Sequence, residues 1–217
     1  KRFVPLKLED ISANSELKVQ FNFPLKSKLK FEEFIINSKT NLTDVRVNNI
    51  FSRDFKSSLL TIDLTNNGLD IVGKINSSNQ SLNLIWEQDF KKKTNSTLIS
   101  LSGSISDKMF NNFIGDKLKF SGKVDVEANF IGNSFDLKEG DLFLDFRNTK
   151  IESYILDWAK PKFSSMFLKT NINFFDNEEI NFYNFIIDGP LIEVDGNFKF
   201  KNNRITNIRL EKLKTYS

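Results

Sequence analysis

Residues 68–74 read G-x-x-x-x-G-K, which is the beginning of a loop that binds nucleotide phosphates in many enzymes. In that motif the next residue is a Ser or Thr that contacts Mg²⁺, whereas here it is Ile75. Leu69, Ile71 and Ile75 also alternate along the chain as they do in a β-strand, although the motif requires a glycine-rich loop that leads into a helix. The segment therefore does not indicate a nucleotide site.

Acid–base and nucleophilic catalysis have equally little support. The chain contains no His and no Cys, which removes imidazole and thiol chemistry, the usual zinc ligands and disulfides. Glu32 with Glu33 and Glu178 with Glu179 are adjacent carboxylates, but neighbouring strand residues face opposite ways and cannot act as one acid and base pair. A serine nucleophile would need a lysine base, and no spacing singles one out. We predict that the chain is not an enzyme and uses no metal or cofactor.

The charge distribution does not indicate a nucleic-acid partner. The 217 residues include 31 Lys and Arg against 28 Asp and Glu, well mixed along the chain, for a formal net charge of +3. Mixed charges create no long field of one sign. We interpret the run Lys91, Lys92 and Lys93 as a solvated turn rather than as a phosphate or lipid-headgroup contact.

The apolar residues follow one repeated pattern, apolar-x-apolar-x-Gly-x-apolar, which occurs four times. Because strand side chains alternate between faces, each phrase places its apolar residues and its glycine on the same face. The pattern predicts strands with one apolar face, notched and curved where the glycines lie. The four phrases are Leu69/Ile71/Gly73/Ile75, Ile99/Leu101/Gly103/Ile105, Leu118/Phe120/Gly122/Val124 and Ile192/Val194/Gly196/Phe198.

Turn and helix signals separate these strands. Residues 65–68 read Thr-Asn-Asn-Gly and predict a hairpin, because Asn and Gly adopt positive φ at low cost. Helical spacing of apolar residues predicts two short helices, at residues 106–114 and at residues 151–158. The predicted fold class is therefore mainly β, an elongated, curved antiparallel sheet with two short helices.

The domain organisation is predicted from length and from the termini. Residues 1–217 are taken as a single segment, with 1–105 and 106–217 as candidate sub-repeats. The chain begins at Lys1 rather than at Met, and it has no apolar run near the roughly eighteen residues that a membrane helix needs. We therefore expect an interior part of a longer protein, with any membrane anchor outside these residues.

The sequence of residues 105–128 resembles that of a known protein family. They read ISDKMFNNFIG and then, from Leu118, LKFSGKVDVEA, which resembles the short helix, the Leu-Gly-like step and the glycine-containing strand that recur in AsmA-like proteins of Gram-negative bacteria. Upstream, Asp44 with Val45, the first glycine phrase and the LIWEQDF of residues 84–90 are similar to the periplasmic module of the large AsmA-like proteins, relatives of TamB. Downstream, the LDWAKP of residues 156–161 fits as well, although the richness in Lys, Asn, Ile and Phe departs from typical members.

The resemblance implies a repeating β-groove whose apolar lining carries phospholipid acyl chains between the inner and outer membranes. It also implies a periplasmic location within a protein anchored in the inner membrane, with an outer-membrane protein as a further partner. A charge placed at Phe120 or Val126 is then expected to block lipid passage while the sheet still folds. The implied lining consists of Leu60, Ile62, Leu64, Ile71, Leu84, Trp86, Leu101, Phe120, Val124, Val126, Leu144, Phe146, Ile172, Phe174, Val194 and Phe198.

Two alternatives to the groove remain open. From the residues alone, the same one-sided strands would also form a closed β-sandwich or barrel, in which the apolar face packs on itself. The resemblance to TamB relatives implies a third interpretation, a scaffold that helps outer-membrane proteins to translocate and assemble. Such a scaffold would bind client chains along the edges of its sheet, by adding a strand, rather than along the apolar face.

Overall fold

The structure is a computed structural model that describes residues 11–25, 28, 35–50, 53–77, 80–107, 118–134, 136–153, 158–175, 179–190, 192–201 and 204–215. These residues form fourteen antiparallel strands in one curved sheet that does not close into a barrel. The strands are β1 (Ile11–Asn22), β2 (Ile35–Ile50), β3 (Arg53–Thr65), β4 (Gly68–Ser77), β5 (Gln80–Asp89), β6 (Thr97–Ser106), β7 (Leu118–Asn133), β8 (Asp136–Asp145), β9 (Thr149–Ser153), β10 (Trp158–Lys160), β11 (Phe167–Phe174), β12 (Glu179–Gly189), β13 (Ile192–Lys201) and β14 (Arg204–Thr215). The mainly β class and the open, curved antiparallel sheet are as predicted.

Most strands pair with their sequence neighbours. The path runs from β1 to β8, continues directly to β11 and ends at β14, while β9 and β10 form a side branch on β7. The hairpin predicted at residues 65–68 joins β3 to β4, and the Asn67 backbone N–H donates a hydrogen bond to Thr65 Oγ1 at 3.1 Å. Apart from this branch, the sheet is a meander in which each strand lies beside the one before it in the chain.

The side branch arises where β7 changes partner. Residues 118–122 of β7 pair with β9, whereas residues 125–133 pair with β8. Gly122 lies at the change with a φ of 126°, and its N–H donates to Asp107 Oδ2 at 3.2 Å. A Cβ at Gly122 would collide with the carbonyl oxygen of Asn148, so this φ and this close approach of β9 require glycine.

One face of the sheet is apolar, and cross-strand register shows it directly. Leu60, Gly73, Leu84, Leu101 and Ala128 lie opposite one another on β3 to β7, in a single row across five strands. Residues directly opposite one another share a face, and we call this side of the sheet the apolar face. All four glycine phrases lie in strands, in β4, β6, β7 and β13. The notch at Gly73 is filled by its neighbour, because a Cβ there would lie 2.5 Å from Leu60 Cδ2.

The fully buried core lies in the second half of the chain. Apart from Val45 and Leu60, every buried apolar residue that the structure describes lies between Ile105 and Val194. Ten of these residues form one cluster, drawn from β6 to β9, from β13 and from the connections after β8 and β10. The apolar face is therefore packed between β6 and β13 and less covered in the strands before them.

The predicted helix at residues 151–158 is wrong. Residues 151–153 belong to β9 and Trp158 begins β10, with Ile151 paired to both Phe120 and Lys160. In a segment this short, the spacing of the apolar residues fits both the helical and the strand period. Here the pairing of the segment with β7 decides in favour of strand. The helix predicted at residues 106–114 begins at Ser106, which ends β6, and its residues 108–114 lie outside the described residues. Asp107 is the one helical residue among those described, and no helix in that part of the chain could cross a membrane.

Candidate functional site

Much of the accessible part of the apolar face lies on the first six strands. On β5 the side chains of Leu82, Leu84 and Trp86 are partly buried, while the residues between them point to the other face and are exposed. On β4, Ile71 is likewise partly buried, although its neighbour Val72 on the other face is half exposed. The alternation therefore places apolar side chains of neighbouring strands at a depth that solvent, or a ligand, still reaches.

Register and the core cluster bring all sixteen predicted lining residues to one side of the sheet. They do not share one environment. Eight are buried, namely Leu60, Phe120, Val124, Val126, Leu144, Phe146, Ile172 and Val194. The other eight are partly exposed, namely Ile62, Leu64, Ile71, Leu84, Trp86, Leu101, Phe174 and Phe198. The buried residues hold the sheet together, so the partly exposed residues are the ones available to a ligand.

The edge strands extend the apolar face beyond the predicted set. On β1, Leu17 pairs with Thr40 and Val19 with Ser38, which continues the rows that contain Ile62 and Leu64. Leu17 is 62% exposed and Phe21 57%. On β14, four apolar residues also continue the apolar face of the neighbouring strand and are each more than half exposed, namely Ile205, Ile208, Leu210 and Leu213. The period-2 alternation of Leu17, Val19, Phe21 and Phe23 contained this signal, although the predicted lining omitted β1.

Aromatic rings line the far end of the same face. Phe182 stacks on Phe198 with ring centroids 4.2 Å apart, and Phe185 meets Phe198 edge-on at 5.3 Å. Phe130 and Phe174 form a tilted pair at 5.8 Å. Phe130, Phe182 and Phe185 were not among the predicted lining residues. Their contacts depend on strand pairing, and on a bulge in β12 between Phe182 and Phe185, that the sequence pattern does not show.

Polar side chains within the apolar face satisfy one another. The Ser38 and Thr40 hydroxyls lie 3.3 Å apart, and Thr97 Oγ1 donates to Gln88 Oε1 at 2.5 Å. All four residues are buried. Their hydrogen-bonding groups therefore pair within the protein and do not draw water or charge onto the face.

Lys160 is a buried cation at the base of the side branch. Its side chain is fully buried, and Nζ donates to the carbonyl oxygens of Thr149 at 2.8 Å and Pro161 at 3.0 Å. Burial lowers the pKa of Lys160 below its ordinary value, and the negative charge of Asp145 acts in the opposite direction. These bonds tie the start of β9 to the end of β10, so Lys160 has a structural role.

The structure does not assemble the nucleotide, acid–base or metal sites considered from the sequence among the residues that it describes. Residues 68–74, which contain the G-x-x-x-x-G-K pattern, lie entirely within β4 and follow the turn at Asn67. They therefore form part of a strand rather than a phosphate-binding loop. Glu179 on β12 forms an ion pair with Lys199 at 3.3 Å, while Glu32, Glu33 and Glu178 lie outside the described residues. No group of three or more acidic residues among those described is arranged to hold a metal ion.

No family model, no curated protein and no solved structure matches this chain. The functional argument therefore depends on the residues and on the geometry of the apolar face.

Proposed function

We propose that this chain is a non-enzymatic lipid-binding segment that holds phospholipid acyl chains along the apolar face of β1 to β6. The observation that carries the proposal is the row of partly exposed apolar side chains of Ile62, Ile71 and Trp86, on strands whose other face is mainly polar. A contiguous apolar surface that is exposed on a soluble protein often marks a binding site.

The proposed interaction is hydrophobic and needs no catalytic residue. Each buried methylene contributes about 0.8 kcal/mol, so a chain of about sixteen carbons would gain on the order of 10 kcal/mol if it lost all contact with water. A face that leaves one side of the chain wet would supply about half of that. Headgroups would stay in water, and the similar rows offered by neighbouring strands would let an acyl chain slide at little cost.

The wider role that we propose follows from the resemblance to AsmA-like proteins. In that role the segment is one part of a longer periplasmic groove, anchored in the inner membrane outside these residues, which carries phospholipid between the inner and outer membranes. The open, curved sheet is compatible with such a groove. An outer-membrane protein would be the partner at the far end.

The test compares two neighbouring residues on opposite faces. Leu84 lies on the apolar face, and Ile85 on the other face is 45% exposed. The wild-type chain, Leu84→Asp and Ile85→Asp are purified from a bacterial periplasm and examined by native mass spectrometry, with organic extraction to identify bound lipid. We expect phospholipid on the wild type and on Ile85→Asp, and at least a fivefold loss on Leu84→Asp, which corresponds to about 1 kcal/mol. Folded wild-type protein without lipid, or equal loss in both variants, would contradict the proposal.

A second candidate function is the protein scaffold, and the sheet edges favour it. Among the described strands, none pairs with the outer edge of β1 or of β14, and each edge strand is 12 residues long. An unpaired edge of this length is a template for strand addition. Because the chain lacks cysteine, single cysteines at Asn207 on β14 and at Ser102 on the central strand β6 can carry a photocrosslinker. A scaffold predicts crosslinks to an unfolded outer-membrane protein from position 207 and none from position 102.

A further inference from the structure

Two turns of this molecule place an exposed phenylalanine beside lysines. Phe90 is 47% exposed and precedes Lys91, Lys92 and Lys93 in the connection between β5 and β6. Phe163 is 73% exposed and follows Lys162 in the connection between β10 and β11. Aromatic rings beside cations are typical of residues that lie at a membrane surface. The surroundings of the two turns differ, and the difference selects one of them.

The turn at residues 161–164 holds the Phe163 ring out in solvent. Phe163 has a φ of 68°, a conformation that is unfavourable for a bulky side chain. The conformation is retained because the Phe163 N–H donates to the Arg147 carbonyl oxygen at 2.7 Å. Further on, the Phe146 N–H donates to the Met166 carbonyl oxygen at 2.9 Å, which attaches the end of the connection to the buried core. The ring is therefore fixed in an exposed position.

Two exposed cations belong to the turn that carries Phe163 and to the segment that it contacts. Lys162 Nζ lies 5.0 Å from the centroid of the Phe163 ring, and the side chain of Arg147 is 61% exposed. Arg147 forms an ion pair with Asp145 at 3.7 Å, and its backbone N–H donates to Asp145 Oδ1 at 2.8 Å. Asp125 lies opposite Asp145 on β7, so Lys162 is the cation that contacts the ring and Arg147 is the cation that is paired with a carboxylate.

The Phe90 turn lies in acidic surroundings instead. Asp63, Asp70 and Glu87 lie opposite one another on β3, β4 and β5, and with Asp89 and Lys92 they line one cavity beside the turn. Asp89 pairs with Lys92 at 3.7 Å, and backbone N–H groups of the turn lower the pKa of this carboxyl, so it stays ionised. These carboxylates would repel an anionic surface, so the turn with Phe163 is the better candidate.

We propose that the turn at residues 161–164, together with Arg147, is a contact site for the surface of an anionic lipid bilayer. The Phe163 ring would enter the interfacial layer, while Lys162 and Arg147 would lie among the headgroup phosphates. This contact uses no residue of the apolar face of β1 to β6. It is therefore independent of the proposed acyl-chain binding and can hold when that proposal fails.

The absence of cysteine from the chain makes a site-specific test straightforward. Ser164→Cys and Lys91→Cys, which leave both phenylalanines in place, are each labelled with an environment-sensitive fluorophore and mixed with vesicles of phosphatidylcholine, either pure or equimolar with phosphatidylglycerol. We expect a blue shift at position 164 with the anionic vesicles and little change at position 91. A shift at both positions, or at neither, would overturn the proposal.

Unlabelled variants measure the contribution of each side chain. We expect Phe163→Ser and Lys162→Glu each to lower cosedimentation with the anionic vesicles by about fivefold, with the wild-type binding weakened by added salt. Phe90→Ser should bind as the wild type does. Because Leu84→Asp impairs only the apolar face, it should also bind vesicles normally. Equal binding by Phe163→Ser and the wild type would contradict the membrane contact without affecting the acyl-chain proposal.

Discussion

At the scale of single residues, Lys160 is the buried charge whose titration should affect stability. Because its pKa in the folded protein is below the ordinary value of 10.5, the folded state binds fewer protons than the unfolded state as pH approaches that value from below. The contribution of Lys160 to the free energy of unfolding should therefore rise with pH and level off above about pH 10.5. Urea denaturation followed by circular dichroism measures this free energy.

Two variants isolate the effect of Lys160 from the titration of other groups. The free energy of unfolding of the wild type minus that of Lys160→Met should increase between about pH 7 and about pH 10. Lys150→Met serves as the control, since the Lys150 side chain is 50% exposed and pairs with Glu152 at the surface. A difference for Lys160→Met that falls with pH would show that the amine is not held in a desolvated site.

At the scale of elements, the side branch depends on the close approach of the chain at Asn148 to Gly122. Gly122→Ala should lower the free energy of unfolding by about 1–3 kcal/mol, because alanine is strained at a φ of 126° and its Cβ would meet the Asn148 carbonyl oxygen. Hydrogen exchange should speed up in β9 and β10 before it does in β3 to β5, since pairing with β7 holds the branch.

A matched glycine tests whether the backbone conformation of Gly122 matters. A Cβ at Gly189 would first meet side-chain atoms of Met166, at 3.0 Å, rather than a backbone oxygen, so Gly189→Ala should cost less than Gly122→Ala. Equal destabilisation by the two substitutions, with uniform exchange along the sheet, would mean that Gly122 has no special part in holding the branch.

At the scale of the whole molecule, the packed and accessible parts of the apolar face should respond differently to a charge. Val126 is 8% exposed within the core cluster, so Val126→Asp should cost roughly 4 kcal/mol and unfold much of the protein. Leu84→Asp should cost about 1 kcal/mol, because water reaches that position. Thermal melts by circular dichroism compare the two, and similar losses would mean that the face is equally buried throughout.

This difference changes which residues can test lipid passage. A charge at Phe120 or Val126 was expected to block a groove in a sheet that still folds, but both residues are buried in the core cluster. Loss of function in those variants would report loss of the fold. Leu84 and Ile71 are better positions, since they share the face and remain partly exposed.

Alternation and turn chemistry were enough to predict strands whose signals are local, such as β4. The spacing of Leu69, Ile71 and Gly73 predicts β4, and the Thr-Asn-Asn-Gly turn predicts its pairing with β3, because both signals act within a few residues. The prediction of a helix at residues 151–158 was wrong because the deciding contact is not local. Its apolar spacing is too short to define a period, and pairing of Ile151 with Phe120 on a distant part of the chain decides the outcome.

The sequence by itself determined which side chains share a face wherever a strand keeps period 2, because alternation then leaves no other arrangement. It did not reveal the bulge between Phe182 and Phe185, which places both of those rings on the apolar face. Nor did it determine which side chains of a face are covered. Val126 and Leu84 belong to the same kind of pattern, yet one is buried in the core and the other is partly exposed. Only the tertiary structure decided this, because burial depends on the curvature of the sheet and on the branch of β9 and β10, both of which arise from contacts between residues far apart in sequence.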